Sequence, residues 1–135
     1  CLSDWYESHR DLHGVERRQG QMCIRDSSES LVIAIDETGK VSCVMAEAPH
    51  GTAPALQGKN IANPMAMILA GASLLTYIDS DEARLASRAI YEGTLEAVYD
   101  GFATADLGGA TRTDEFTNEV IRRVRTKVEI WATLT

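Results

Sequence analysis

The stretch EAPHGTAPALQGKNIANP, residues 47–64, gathers the side chains of this chain best suited to chemistry. His50 offers a flat ring for stacking, Gly51 lets a ligand approach the backbone, and the Asn63 amide can pair bidentately with an adenine edge. Thr52 adds a hydroxyl, and the prolines at 49, 54 and 64 stiffen the path. A strand ending in Glu47 and running into such a loop is the arrangement of a ligand loop on an α/β scaffold. The other reading of the same residues is a structural loop in which Asn63 only caps the next helix.

The elements that would position this loop are legible on both sides of it. LVIAID, residues 31–36, and VSCVMA, residues 41–46, are short runs rich in β-branched residues around the turn ETGK, which predicts a hairpin. Asn63-Pro64 reads as an N-cap followed by proline at the first helical position, opening a helix over residues 64–78. That helix is apolar nearly all round, with small Gly71, Ala72 and Ser73, so burial on every side is expected. Asp79-Ser80-Asp81-Glu82 brings carboxylates to the positive end of a second helix, which ends near Asp100 and stops at Gly101. Leu85, Ala86, Ala89, Ile90, Ala97 and Val98 share one of its faces. A loop containing Asp106-Leu107-Gly108-Gly109 follows, and Thr113 then caps a third helix with Asp114 and Glu115 in its first turn. Phe116, Val120, Ile121, Val124, Val128 and Trp131 form the apolar stripe of that helix; Arg122, Arg123, Arg125 and Lys127 read as a solvated basic face.

Composition narrows the classes. A chain of 135 residues with 13 basic and 20 acidic side chains, net −7, suits one globular domain and argues against a nucleic-acid surface, which needs clustered Lys and Arg. The longest apolar stretch, residues 65–75, is too short to cross a bilayer, and no signal-peptide order is present, so a soluble, cytoplasmic protein without a membrane partner is expected. Cys1, Cys23 and Cys43 lack metal-ligand spacing and form no disulfide framework; Cys43 is expected to be a small buried apolar residue. Two strands and three helices in the order ββ-loop-ααα close a core poorly, which points to part of a larger α/β domain.

Residues 1–27 differ from the rest, with no run of period 2 or 3.6. MCIRDS, residues 22–27, back-translates as ATG-TGT-ATA-AGA-GAC-AGN, which resembles a transposon end used as an adapter in shotgun DNA sequencing. RRQGQ, residues 17–21, fits the rest of that adapter except at Gly20, where Arg is expected. Residues 1–27 are therefore expected to be non-native, with the native sequence starting near Ser28; a natural disordered tail is the alternative. His9-Arg10-Asp11-Leu12 resembles a kinase catalytic loop, yet Glu16 stands in place of its Asn and no Gly-rich loop or DFG follows. His9 and His13 have the spacing of metalloprotease ligands, but Arg10 stands where the general base belongs.

As a whole, EAPHGTAPALQGKNIANP resembles the signature of the isocitrate and isopropylmalate dehydrogenases, the metal-dependent β-decarboxylating dehydrogenases. The resemblance continues through MAMIL, residues 65–69, the loop TADLGG, residues 104–109, and TDEFT, residues 113–117, and covers residues 28–135. It implies an α/β fold that is not a classical Rossmann fold, with this chain as the C-terminal part of the large domain: a β-hairpin, a cofactor loop and three helices, incomplete as a domain.

The resemblance further implies that His50, Gly51, Thr52, Ala53 and Asn63 embrace the adenosine half of a dinucleotide, that Glu47 lies toward the nicotinamide ribose, and that Asp106 supports the adenine side. Ala55 and Leu56 stand where NAD-using members place an Asp and NADP-using members place Lys and Tyr, so NAD is expected, with NADP possible and loose specificity. Family members oxidise a 2-hydroxy acid bearing a β-carboxylate, hold Mg or Mn, and pair as homodimers. The substrate arginines, the Tyr and Lys acid/base pair and the metal aspartates of the family match nothing in this chain, so it is expected to hold no catalytic or metal residue and to be inactive alone. Isocitrate and 3-isopropylmalate are the leading substrates, with tartrate and homoisocitrate dehydrogenases as relatives. An isolated helical interaction module without catalytic activity is the reading from a different class.

Overall fold

β-Branched residues at 32, 33, 35, 41 and 44 hold the chain extended in two antiparallel strands, β1 (Ser30–Ile35) and β2 (Val41–Glu47). Val32 faces Met45 and Ala34 faces Cys43; the register then slips, so that Ile35 faces Val41 and Ser42 is left over as a bulge. The Ser42 hydroxyl donates to the Ala34 carbonyl across this bulge. Asp36 organises the turn, its Oδ1 accepting from the backbone N–H groups of Thr38 and Lys40 and from the Thr38 hydroxyl. The Thr38 hydroxyl, above all, holds the Asp36 carboxyl below the usual carboxylate range. This is a computed structural model, and it describes residues 29–133. The adapter-like stretch, the kinase-like and metalloprotease-like motifs and Cys1 and Cys23 lie outside the described residues.

Three helices follow the cleft-forming loop: α1 (Met65–Leu75), α2 (Asp81–Tyr99) and α3 (Thr113–Ala132). α2 packs between α1 and α3, and α1 lies on the hairpin, chiefly against β2. Ser80 caps α2 by accepting from Ala83 N–H, with Asp81 and Glu82 in the first turn, as the sequence predicts. The core is Met65, Leu69, Ala97, Phe116 and Val120, flanked by Ile68, Tyr91, Val98, Leu107 and Val124. Gly93 brings α2 close to α3: a β-carbon there would meet Arg123 Cβ and Val124 Cγ2, each at 3.3 Å. Buried Ser73 and Ser87 tie α1 to α2, Ser87 by donating to the Ala72 carbonyl and Ser73 through the Tyr91 hydroxyl, which also meets Glu29. Burial, followed by the Glu29 contact, pushes the Tyr91 hydroxyl above its usual range.

Three expectations are corrected. Cys43 is exposed. α1 covers one face of β2, that of the half-buried Val44 and Ala46, and period-2 alternation sends Cys43 and Met45 to the uncovered face. α1 is not buried all round, because Met67 is 58% exposed on the side that no described element covers. The basic side of α3 is not uniformly solvated: Arg123 and Lys127 keep only 13% and 17% of their side-chain surface. Arg123 bonds to Asp100 and Lys127 to Glu96, each at 2.7 Å, joining α3 to α2, and Arg123 also bonds to Glu119 within α3 at 2.7 Å. Arg88 and Lys127 also lie over the Trp131 ring.

Candidate functional site

Two loops face each other across an open cleft of about 820 Å³. The first leaves β2 at Glu47. His50 N–H donates to the Ala48 carbonyl, and His50 Nδ1 lies 3.0 Å from the Gly51 carbonyl oxygen. A carbonyl can only accept, so in this contact Nδ1 is the donor, and Nε2 is left without a part in it. Ala53 then adopts a left-handed conformation, φ 41° and ψ 60°, at a cost of about 1–3 kcal/mol for a residue with a β-carbon. That bend launches a 3₁₀ turn, Pro54–Leu56, closed by Leu56 N–H on the Ala53 carbonyl.

The second loop follows α2. Ala103 and Thr104 are buried, and a 3₁₀ turn, Ala105–Leu107, presents Asp106. The Thr104 hydroxyl donates to Asp106 Oδ1. Asn63 Nδ2 donates to Asp106 Oδ2 at 2.8 Å, joining the two walls across 43 residues of chain. Gly109 closes this loop under a close approach: a β-carbon there would fall 2.0 Å from the Ala103 carbonyl oxygen. Gly109 N–H bonds the Thr104 carbonyl and Thr111 N–H bonds the Ala103 carbonyl.

Asn63 caps the next helix and also lines the cleft. Its Oδ1 accepts from Met65 N–H at 2.9 Å, so it satisfies an orphan amide at the start of α1, although the residue flanking the helix is Pro64. With Nδ2 also bonded to Asp106, the amide keeps one N–H and one oxygen lone pair for a ligand.

Of the residues expected from the sequence, His50, Gly51, Thr52, Ala53, Leu56, Asn63 and Asp106 line the cleft, whereas Glu47 and Ala55 do not. Ala55 sits in the 3₁₀ turn with its side chain exposed, between the lining residues Pro54 and Leu56. Pro54, Gln57, Ile61, Ala62 and Ala105 also line the cleft and were not among the expected site residues. Ile61 carried a usable signal, since an isoleucine within a polar loop has no core to fill there unless it faces a ligand or a neighbour. No Lys or Arg among the described residues lines the cleft, and Asp106 is the one acidic residue among them that does. Among the described residues, no three His, Cys, Asp or Glu side chains come together in a way that could hold a metal ion, and no helix is long and apolar enough to cross a membrane.

The residues that build both walls fall inside one known pattern: the model of the isocitrate/isopropylmalate dehydrogenase family matches residues 32–120. The chain belongs to the isocitrate/isopropylmalate dehydrogenase family. It is 37% identical over 83 residues to isocitrate dehydrogenase (NAD) catalytic subunit 5, mitochondrial, of Arabidopsis thaliana, a match covering 61% of this chain and 21% of that protein. It is 44% identical over 77 residues to 3-isopropylmalate dehydrogenase of Listeria monocytogenes, covering 56% of this chain and 21% of that one. Among solved structures, isocitrate dehydrogenase from Methylococcus capsulatus superposes with a TM-score of 0.54 at 37% identity, over 62% of this chain and 24% of that one. The chain thus spans about a fifth to a quarter of the length of these relatives. Its mixed α/β architecture, a two-stranded sheet and three helices, is part of the fold of these oxidoreductases.

Proposed function

We propose that residues 28–135 are the C-terminal part of the large domain of an NAD-dependent, β-decarboxylating 2-hydroxy-acid dehydrogenase of the isocitrate or 3-isopropylmalate type, and that they carry its adenosine site. The observation that carries this reading is the cleft whose walls are joined by Asn63 and Asp106. Its chemistry fits a purine nucleoside. Leu56, Ile61 and Pro54 give it apolar surface for a flat ring, and the free N–H and lone pair of Asn63 meet the acceptor and donor on an adenine edge. His50 stands at the rim with Nε2 left to meet ribose hydroxyls. The absence of Lys and Arg from the lining among the described residues favours NAD, because a 2′-phosphate left without a cation is costly in an acidic protein.

When bound, the nicotinamide supplies the hydride acceptor for C2 of the hydroxy acid. This chain's share of the work is to hold the adenosine half and so limit the reach of the far end of the cofactor. The donor set for Mg or Mn does not occur among the described residues, so no step is assigned to a metal within this chain. The substrate and acid/base groups likewise belong to the remainder of the enzyme, and this chain alone turns over nothing.

Calorimetric titration of the full-length enzyme with NAD, NADP and ADP-ribose, beside initial rates with isocitrate and 3-isopropylmalate, tests the proposal. Binding of ADP-ribose that is lost in Asn63→Ala, with NAD preferred over NADP, is the expected result. ADP-ribose binding indifferent to Asn63, or a clear NADP preference, overturns it.

A further inference from the structure

Asn60 does not line the cleft, yet its neighbours Ile61, Ala62 and Asn63 do. It adopts a left-handed conformation with φ 56°, which Asn tolerates better than any residue except glycine. Its carbonyl accepts from Thr113 N–H at 3.1 Å, and its Oδ1 accepts from Asp114 N–H at 3.2 Å. These are two of the orphan amides at the start of α3. Two residues on, the Ala62 carbonyl accepts from the Thr113 hydroxyl at 2.6 Å. Segment 60–62 is therefore fastened to the first turn of α3 at both ends. A further tie runs the other way: hydrogen bonding from the Asn60 side chain is the largest influence holding the Asp114 carboxyl below the usual carboxylate range. The Asn60 amide thus accepts from the Asp114 backbone N–H and lies beside the Asp114 carboxyl.

We propose that Asn60 is a positioning residue of the cleft, which anchors the Ile61 to Asn63 wall on the first turn of α3 and so sets the geometry in which adenosine is held. The proposal rests on the reading of the cleft as a dinucleotide site. Asn60 makes no contact with the cofactor, and its effect passes through Ile61, Ala62 and Asn63. No other side chain reproduces the pairing. Glycine keeps the left-handed backbone and the carbonyl bond but loses the side-chain bond to Asp114 N–H. Aspartate keeps the acceptor but places a second carboxylate beside that of Asp114.

The test uses the full-length enzyme and steady-state kinetics in both substrates. Asn60→Gly is expected to raise KM for NAD about fivefold to tenfold, the loss of one ordinary hydrogen bond, with kcat and KM for the hydroxy acid within about twofold of wild type. Asn60→Asp is expected to raise KM for NAD by about tenfold or more, and adding Asp114→Asn is expected to restore most of it, because the pair of neighbouring carboxylates is then gone while the acceptor at position 60 remains. Overall unfolding or general loosening would not produce that rescue. An unchanged KM for NAD in Asn60→Gly, a fall in kcat without a change in KM, or a double variant no better than Asn60→Asp overturns the proposal. Wild-type enzyme that fails to bind ADP-ribose overturns the dinucleotide reading itself, and this one with it, before any variant is made.

Discussion

Replacing Gly109 by alanine is expected to open the Asp106 loop. The added methyl would lie 2.0 Å from the Ala103 carbonyl oxygen, 2.6 Å from its carbonyl carbon and 2.8 Å from its β-carbon. Two of these are backbone atoms, so no side-chain rotation relieves the clash and the backbone must move. Movement breaks the bonds from Gly109 N–H to the Thr104 carbonyl and from Thr111 N–H to the Ala103 carbonyl. At about 1 kcal/mol for each bond, with about 1–3 kcal/mol for overpacking, the loop loses roughly 3–5 kcal/mol of local stability. Thr104, whose hydroxyl holds Asp106, shifts with the loop, and the bond from Asn63 to Asp106 lengthens. Loss of that charge-assisted bond, about 1.5–3 kcal/mol, corresponds to about a tenfold to hundredfold rise in KM for NAD. Native-state hydrogen exchange on the full-length enzyme reads the first effect directly, because the amides of residues 109 and 111 are expected to lose their protection while those inside α2 and α3 keep theirs. Wild-type exchange at both amides together with an unchanged KM for NAD would refute the account of this loop.

Ala55→Asp is expected to raise the preference for NAD over NADP by about one order of magnitude, since a carboxylate at the 3₁₀ turn can accept from ribose hydroxyls and repels a 2′-phosphate; kinetics with both cofactors decide, and an unchanged ratio shows that the ribose is held elsewhere. Glu119 is held at about 2 by Arg122 first and Arg123 second, so its contribution to stability is complete above its ordinary 4.5 and is lost as pH falls from there through about 2. NMR titration should find its carboxyl still ionised at about pH 3.5 and, in Arg122→Ala, titrating nearer to its ordinary value. The 135-residue chain on its own is expected to self-associate, because Val32, Ile35 and Met45 are each more than half exposed along an unprotected hairpin; a monodisperse, cooperatively melting chain in light scattering and calorimetry would contradict this.

What was legible in the sequence was local. Ser80-Asp81-Glu82 is a helix start wherever it occurs, because the cap and the carboxylates act on amides within one turn. Most of the cleft was legible for a similar reason, since His50 to Asn63 is one contiguous stretch whose odd residue choices stand out. What was not legible depends on contacts distant in sequence. Thr113 was expected to cap α3, yet its hydroxyl donates to the Ala62 carbonyl, 51 residues earlier, and the first turn is served instead by Glu115, which accepts from Arg112 N–H, and by Asn60. Cys43 sits in a run apolar on both faces, and nothing within the run says which face α1 will cover. Glu47 and Ala55 belong to the same motif as the lining residues, but adjacency in sequence does not decide which way a side chain turns in a strand end or a 3₁₀ turn.

The buried cations of α3 were within reach of the sequence, by a comparison between helices rather than within one. Glu92, Glu96 and the C-cap Asp100 recur every four residues along α2, and Glu119, Arg123 and Lys127 recur every four on α3, so each helix carries a charged row among its charged residues. The rows meet in reverse order: Arg123 reaches Asp100, while Lys127 reaches Glu96 and Glu92, so that the later residue on α3 meets the earlier ones on α2. That order is what two antiparallel helices impose, and it fixes their axial register, with Gly93 allowing the close approach and Phe116 filling the buried end. The register has a consequence at the other end of α3. Its first turn carries Thr113 and Asp114, to which residues 60–62 are fastened, and α2 leads directly into the loop bearing Asp106. One wall of the cleft is thus set by the start of α3 and the other by the end of α2. The charged rows that lock the two helices together also hold the two walls at the separation that lets Asn63 reach Asp106.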